Sequence, residues 1–69
     1  MSRNNLFDSL DREILYRLSL GVKLKELTKY IPLSLPGIER RKRRIAEVFD
    51  LESGSIKPIL KKAKENGLV

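Results

Sequence analysis

The sequence predicts an all-α fold with four helices. Apolar residues recur every three or four positions in four separate segments, which is the spacing of a helix face. Capping residues, glycines and prolines separate these segments, at places where helices begin and end. No segment alternates apolar and polar residues with the period of two that a half-buried strand shows.

The first helix is predicted over residues 9–20. Asp8 precedes it as a capping residue, and Asp11 follows in the first turn, where a carboxylate favours the helix dipole. Gly21 stands where a helix commonly ends in a left-handed residue. Phe7 is expected to be the first core residue. The inward stripe of this helix is expected to be Leu10, Ile14, Leu15 and Leu18.

A second, shorter helix is predicted over residues 24–31, because Pro32 disfavours α geometry at the residue before it. A tight turn around Leu33 then leads to a third helix over residues 34–49. Two short helices joined by such a turn form the helix-turn-helix unit. The inward residues of the second helix are expected to be Leu24, Leu27, Thr28 and Ile31.

The third helix has two contrasting faces. It begins at Ser34, a capping residue, and Pro36 falls in its first turn, where a missing N–H costs nothing. An exposed basic helix fits the DNA major groove, which is wide enough to admit one. The apolar face is expected to consist of Ile38, Ile45 and Phe49. The other face and its flanks carry Glu39, Arg40, Arg41, Lys42, Arg43, Arg44 and Glu47.

The fourth helix is predicted over residues 55–66. Ser55 is its expected cap, Pro58 falls in its first turn, and Asn66 with Gly67 ends it. Its surface carries Lys57, Lys61, Lys62 and Lys64. The core contacts of this part of the chain are expected to be Leu51, Ile56, Ile59, Leu60, Ala63 and Leu68.

Composition limits the classes of function. The 69 residues include 15 Lys and Arg against 9 Asp and Glu, a formal net charge of +6, which favours a polyanionic partner. The chain has no cysteine and no histidine, which excludes disulfides, Cys/His metal sites and imidazole acid–base chemistry. It also lacks a nucleophile–base pair and a phosphate-cradling glycine loop. We therefore expect no enzymatic activity, no cofactor, no metal and no small-molecule substrate.

The chain is expected to hold one small domain over residues 6–69, after a disordered polar segment at residues 1–5. Its longest apolar run is far too short to span a membrane, and no signal-peptide pattern follows Met1. A cytoplasmic location is therefore expected.

Several groups of residues follow one family pattern in type and spacing. An apolar residue, a helix cap and a Glu-x-Glu-Val-Leu pattern correspond to Phe7, Asp8, Asp11, Glu13, Ile14 and Leu15, and Gly21 follows as the family's glycine. A Lys-Glu-Ile-Ala pattern with a following Leu corresponds to Lys25, Glu26, Leu27, Thr28 and Ile31. A Leu-Ser-x-x-Thr-Val-Lys-x-His pattern corresponds to Leu33, Ser34, Gly37, Ile38, Glu39 and Arg41. The remaining matches are Arg44, Ile45, Val48, Phe49, Leu51, Ala63, Gly67, Leu68 and Val69.

This order of residues resembles the LuxR/GerE-type helix-turn-helix domain, the DNA-binding output domain of NarL/FixJ response regulators. The resemblance covers nearly the whole chain. It implies a four-helix LuxR/GerE-type domain that inserts residues 34–49 into the major groove as part of a transcription regulator, with a two-component response regulator as the expected context.

The chain also departs from the family pattern. Gly37, Glu39 and Arg41 replace the usual Thr, Lys and His of the third helix, so the operator is expected to differ from those read by Thr-Val-Lys helices. Arg17 and Thr28 replace a Leu and an Ala, and a short insertion precedes the fourth helix around residues 52–55.

The resemblance implies DNA base contacts by Glu39, Arg40 and Arg43. An arginine can donate two hydrogen bonds to guanine O6 and N7, which gives about 1–3 kcal/mol of discrimination. A glutamate can accept from cytosine N4 and also repels phosphate. The simpler alternative is that Glu39 pairs with Arg43 within the helix, at roughly 0.2–0.5 kcal/mol.

Contacts to DNA phosphates are expected from Ser34, Arg41, Lys42, Arg44, Lys23 and Lys25. Ser34 could serve only as a helix cap, and the two lysines near the second helix could simply be solvated. Tyr16 and Tyr30 are expected to pack or to lie on the surface rather than to stack on bases.

The expected partner is double-stranded DNA, bound as a monomer or as a weak or DNA-dependent homodimer through helix 55–66. The lysines of that helix oppose tight dimerisation through like-charge repulsion. A sigma-factor-like promoter-binding module and a basic module that binds an acidic protein remain as alternatives. Membrane binding is not expected, because the other three helices supply apolar stripes to cover the third.

Overall fold

The structure, a computed structural model, describes residues 7–69. These residues form helix α1 (Ser9–Ser19), a 3₁₀ helix (Leu24–Lys29), helix α2 (Leu35–Val48) and helix α3 (Ile56–Glu65), with no strand among them. The predicted all-α architecture with four helices is confirmed. The predicted disorder of residues 1–5 lies outside the described residues.

Helix α1 begins where the sequence predicted, because its first turn is closed by side chains. Asp8 is the N-cap and accepts a hydrogen bond from the Asp11 N–H, while the Asp11 carboxylate accepts one from the Asp8 N–H. This reciprocal pair is a capping box. The helix ends at Ser19, and Gly21 has a φ of +90°, the left-handed geometry expected there.

The second helix differs from the prediction. It is a 3₁₀ helix that ends at Lys29, with Tyr30 as its C-cap, whereas an α-helix to residue 31 was expected. In this tighter form Leu27 is still buried in the core and Leu24 packs against it. Thr28 was expected to face inward, but it is exposed and donates to the Lys25 carbonyl.

Helix α2 is the predicted third helix, and α3 is the predicted fourth. Ser34 caps α2 by accepting from the Gly37 N–H at 3.4 Å, with Pro36 in the first turn. Ser55 is the N-cap of α3, but its side chain makes no capping bond and pairs instead with the Ser53 hydroxyl at 3.0 Å. The predicted N-cap position at Ser55 is therefore confirmed, but its side chain does not make the capping bond.

The core consists of two clusters that share helix α2. One cluster lies between α1, the 3₁₀ helix and the start of α2, and its buried residues are Ile14, Leu18, Leu27, Ile31 and Ile38. The other lies between the chain start, α1, the end of α2 and α3, and its buried residues are Phe7, Leu15, Ile45, Ala46, Ile59 and Ala63. The rings of Phe7 and Phe49 meet in the second cluster with their centroids 5.2 Å apart. Helix α2 is thereby packed at both ends.

Most of the expected core is confirmed. Leu10, Leu24, Leu33, Leu51, Ile56, Leu60 and Leu68 are half-buried against one cluster or the other, as is Phe49. Within residues 7–69, no helix is long and apolar enough to cross a membrane.

Candidate nucleic-acid interface

The geometry of α2 follows from which of its residues are buried. Ile38, Ile45 and Ala46 are buried in the core, so the opposite side of the helix faces outward. Arg40 and Arg43 lie on this outward side and are exposed. No hydrogen bond or ion pair within the described residues joins either arginine to an acidic group. Both guanidinium groups are therefore available to an external acceptor.

Two further arginines of α2 are held by carboxylates of α1. The Arg41 Nη1 lies 2.6 Å from Asp8 Oδ2 and 3.3 Å from Asp11 Oδ1. The Arg44 Nη1 lies 2.7 Å from Asp11 Oδ2. We call these four residues the Asp–Arg cluster. It joins the first turn of α1 to the middle of α2.

Asp11 is the buried member of the Asp–Arg cluster. Its side chain is 0% exposed, and both carboxylate oxygens accept hydrogen bonds, from the two arginines and from the Asp8 N–H. A buried carboxylate requires such partners because desolvation of an isolated charge is costly. The cluster therefore keeps a carboxylate inside the domain with both of its oxygens hydrogen-bonded.

The electrostatics of the Asp8–Arg41 pair favour the ionised forms of these two groups. The Asp11 N–H bond and the Arg41 guanidinium hold the pKa of the Asp8 carboxyl below its ordinary value. The Asp8 carboxylate in turn raises the pKa of Arg41. Both groups are consequently charged over the whole neutral range.

Glu39 and Arg43 do not form the intrahelical pair that was the simpler alternative. Among the ion pairs of residues 7–69, none joins them. Glu39 is half-buried on the flank of α2 that also carries Lys42. On this flank the loop before α3 approaches closely, because a Cβ built on Gly54 would lie 3.7 Å from Lys42 Cε and 3.9 Å from Arg43 Cγ.

The structure brings some predicted phosphate contacts together and separates others. Arg40, Arg41 and Arg44 line one shallow cavity of about 260 Å³ with Leu33 and Gly37. Ser34 lies at the start of the same helix, where its hydroxyl already caps Gly37. The lysines expected to contact phosphate beside the second helix, Lys23 and Lys25, are exposed at the N-cap and in the first turn of the 3₁₀ helix.

The two tyrosines lie on the surface, one of the two placements expected. Tyr16 and Tyr30 are about half exposed, and the Arg17 guanidinium lies 4.2 Å from the centre of the Tyr30 ring. Arg17 also pairs with Glu13 at 3.2 Å. This cation–π contact fixes Arg17 against the domain.

Sequence reasoning missed Asp8 and Asp11 as partners of the α2 arginines. A signal was present, because Asp11, Ile14, Leu15 and Leu18 have the spacing of one helix face. An acidic residue on an inward stripe implies a basic partner from elsewhere in the chain. The sequence separation of 30 to 33 residues conceals which arginines those are.

In the part of the chain that the structure describes, the site is thus a basic helix with two outward arginines that have no acidic partner and two arginines held by a buried and a half-exposed carboxylate. No family model matches the chain, and comparisons with curated proteins and with solved structures give no match.

Proposed function

We propose that this chain is a sequence-specific DNA-binding domain of a transcription regulator that places α2 in the major groove. One observation carries the proposal: α2 is packed on both core clusters, while Arg40 and Arg43 are exposed on its outer side and have no acidic partner among residues 7–69. A groove-reading helix requires this combination of a fixed inner face and free donors on the outer face.

The outer residues supply the chemistry of base recognition. Arg40 and Arg43 can each donate two hydrogen bonds to guanine O6 and N7, at about 1–3 kcal/mol of discrimination per base pair. Glu39 can accept from cytosine N4, and the absence of a Glu39–Arg43 ion pair within the described residues leaves both side chains for that task. These three residues are the proposed base contacts.

Contacts to the DNA backbone are proposed around this reading face. Ser34 lies at the start of α2 and Arg44 is exposed beside its outer side, whereas Arg41 and Lys42 are half-buried next to its inner face. Lys23 and Lys25 lie at the start of the 3₁₀ helix. Such ionic contacts make affinity fall with salt, at a slope of about −0.9 per neutralised phosphate on a double logarithmic plot.

The proposal includes a LuxR/GerE-type arrangement and a response-regulator context. The order of the helices, the short second helix and the capped start of α2 support the arrangement. The regulatory context rests on the resemblance of the residue pattern. We also propose that any homodimer through residues 55–66 is weak or requires DNA, because that segment exposes four lysines.

The test is selection of bound duplexes from a random DNA pool by this chain, followed by sequencing. We expect a recovered motif, with two half-sites about one helical turn apart if the domain dimerises on DNA. Arg43→Ala should weaken the base preference at one position of the motif. Lys29→Ala, which removes one positive charge from an exposed residue that is assigned no DNA or dimer contact, is the matched control and should leave the motif unchanged.

Three results would contradict the proposal. Duplexes bound without any motif would mean that α2 contacts only the backbone. No binding to DNA at low salt would rule out the DNA-binding proposal and favour an acidic protein partner. Binding at a promoter element only in the presence of core polymerase would favour the sigma-factor-like alternative.

A further inference from the structure

The Arg41 guanidinium already has anionic partners. Its Nη1 donates to Asp8 Oδ2 at 2.6 Å and to Asp11 Oδ1 at 3.3 Å. A carboxylate and a phosphate offer oxygens of similar geometry to an arginine. Any phosphate that binds Arg41 must therefore share it with these carboxylates or replace one of them.

The two carboxylates differ in accessibility. The Asp11 side chain is fully buried and also holds Arg44, so it stays in place when a ligand arrives. The Asp8 side chain is 54% exposed and accepts from the same Nη1 atom of Arg41 as Asp11 does. Of the two, Asp8 is the partner that a phosphate can displace.

We propose that Asp8 is a resident competitor for phosphate at Arg41, and that Asp11 is the positioning residue that keeps Arg41 and Arg44 on the flank of α2. Contact between Arg41 and the DNA backbone is then an exchange of one anion for another. This inference rests on the proposed function and adds a determinant of affinity that lies outside α2.

The exchange has a measurable consequence. The wild-type protein gives up the Asp8–Arg41 bond when Arg41 contacts a phosphate, and the released carboxylate remains beside the DNA, where like charges repel. Removal of the Asp8 charge should therefore strengthen DNA binding and make it more dependent on salt.

The experiment measures the affinity of Asp8→Asn for duplex DNA over a series of salt concentrations. Asparagine keeps a side-chain oxygen for the Asp11 N–H, so the N-cap of α1 is retained. We expect binding at low salt to tighten about three- to tenfold, the range for one added ionic contact. We also expect the salt slope to steepen by up to about 0.9.

Asp50→Asn is the matched control. It makes the same chemical change at an exposed residue beyond the C-terminal end of α2, and asparagine tolerates the φ of +58° found there. A second comparison places Asp8→Asn in an Arg41→Gln background, where the gain should fall to that of the control, because no guanidinium is left to release.

The outcomes separate the two proposals. If the wild type binds DNA and Asp8→Asn changes affinity no more than Asp50→Asn, the competitor role is wrong while the DNA-binding proposal stands. An equal gain from Asp8→Asn with and without Arg41 would also overturn it. If the wild type fails to bind duplex DNA at low salt, both proposals fail.

Discussion

At the scale of single residues, Asp11 is the residue whose partners matter most to the stability of the domain. Its carboxylate is fully buried and is neutralised by two arginines that reach it from another helix. Loss of one partner from a buried ion pair costs far more than loss of the whole pair, because an unpaired buried charge remains. The Asp–Arg cluster should therefore respond differently to removal of its positive and its negative members.

This difference gives a prediction for stability. The double variant Arg41→Gln with Arg44→Gln should lower the free energy of unfolding by about 3 kcal/mol, the lower end for a broken buried pair, because Arg44 is half exposed. Adding Asp11→Asn should recover part of that loss, because it removes the stranded charge. Urea unfolding followed by circular dichroism measures both. A triple variant less stable than the double variant would contradict this account.

The residues of the candidate site could be predicted only in part. The outward position of Arg40 and Arg43 follows from the helical period, because their separation from Ile38 and Ile45 places them on the other side of α2. The helical period does not indicate that Arg41 and Arg44 form ion pairs with carboxylates of α1. That information depends on how α1 lies against α2, which is a tertiary property.

At the scale of elements, the two serine N-caps provide a contrast. Ser34 accepts a bond from the Gly37 N–H and so satisfies one free donor of α2, whereas the Ser55 side chain bonds to Ser53. The two helices therefore begin with the same residue type and different local stabilisation.

A matched pair of substitutions tests this contrast. Ser34→Ala should lower the free energy of unfolding by about 0.5–1 kcal/mol, toward the low end for an N-cap because its bond is long. Ser55→Ala should change it by less than about 0.5 kcal/mol. Thermal unfolding of the two variants side by side gives the comparison. Equal losses would mean that the two caps act alike in solution.

Helix boundaries were predictable where local chemistry decides them. The start of α1 is set by the hydrogen bonds between Asp8 and Asp11, and its end lies beside the left-handed φ of Gly21. Both features depend only on neighbouring residues in the sequence. The 3₁₀ helix was not predictable, because its apolar spacing also fits an α-helix. The choice of the tighter form depends on how its apolar residues pack against α1 and α2, which is a tertiary property.

At the scale of the whole molecule, the two core clusters are coupled through α2. Ile38 belongs to one cluster and Ile45 to the other, and both are fully buried. A domain of this size is marginally stable and has little apolar surface to spare. We therefore expect the domain to unfold as one cooperative unit rather than cluster by cluster.

Conservative core variants test cooperativity. Ile38→Val and Ile45→Val should each lower the free energy of unfolding by about 0.5–1.5 kcal/mol. In each variant, unfolding curves from far-ultraviolet circular dichroism and from tyrosine fluorescence should coincide. The losses should add in the double variant, because the two residues share no cluster. Separate midpoints for the two probes would show that the clusters melt independently.

The placement of α2 also bears on how such a domain could change over time. Arg40, Arg43 and Glu47 are exposed, while Ile38, Ile45 and Ala46 hold the helix in place. Substitution at the first three positions changes the exposed surface with little effect on folding, because surface changes away from special contacts rarely exceed about 0.5 kcal/mol. The exposed residues of α2 can therefore change while its buried residues, and with them the fold, stay the same.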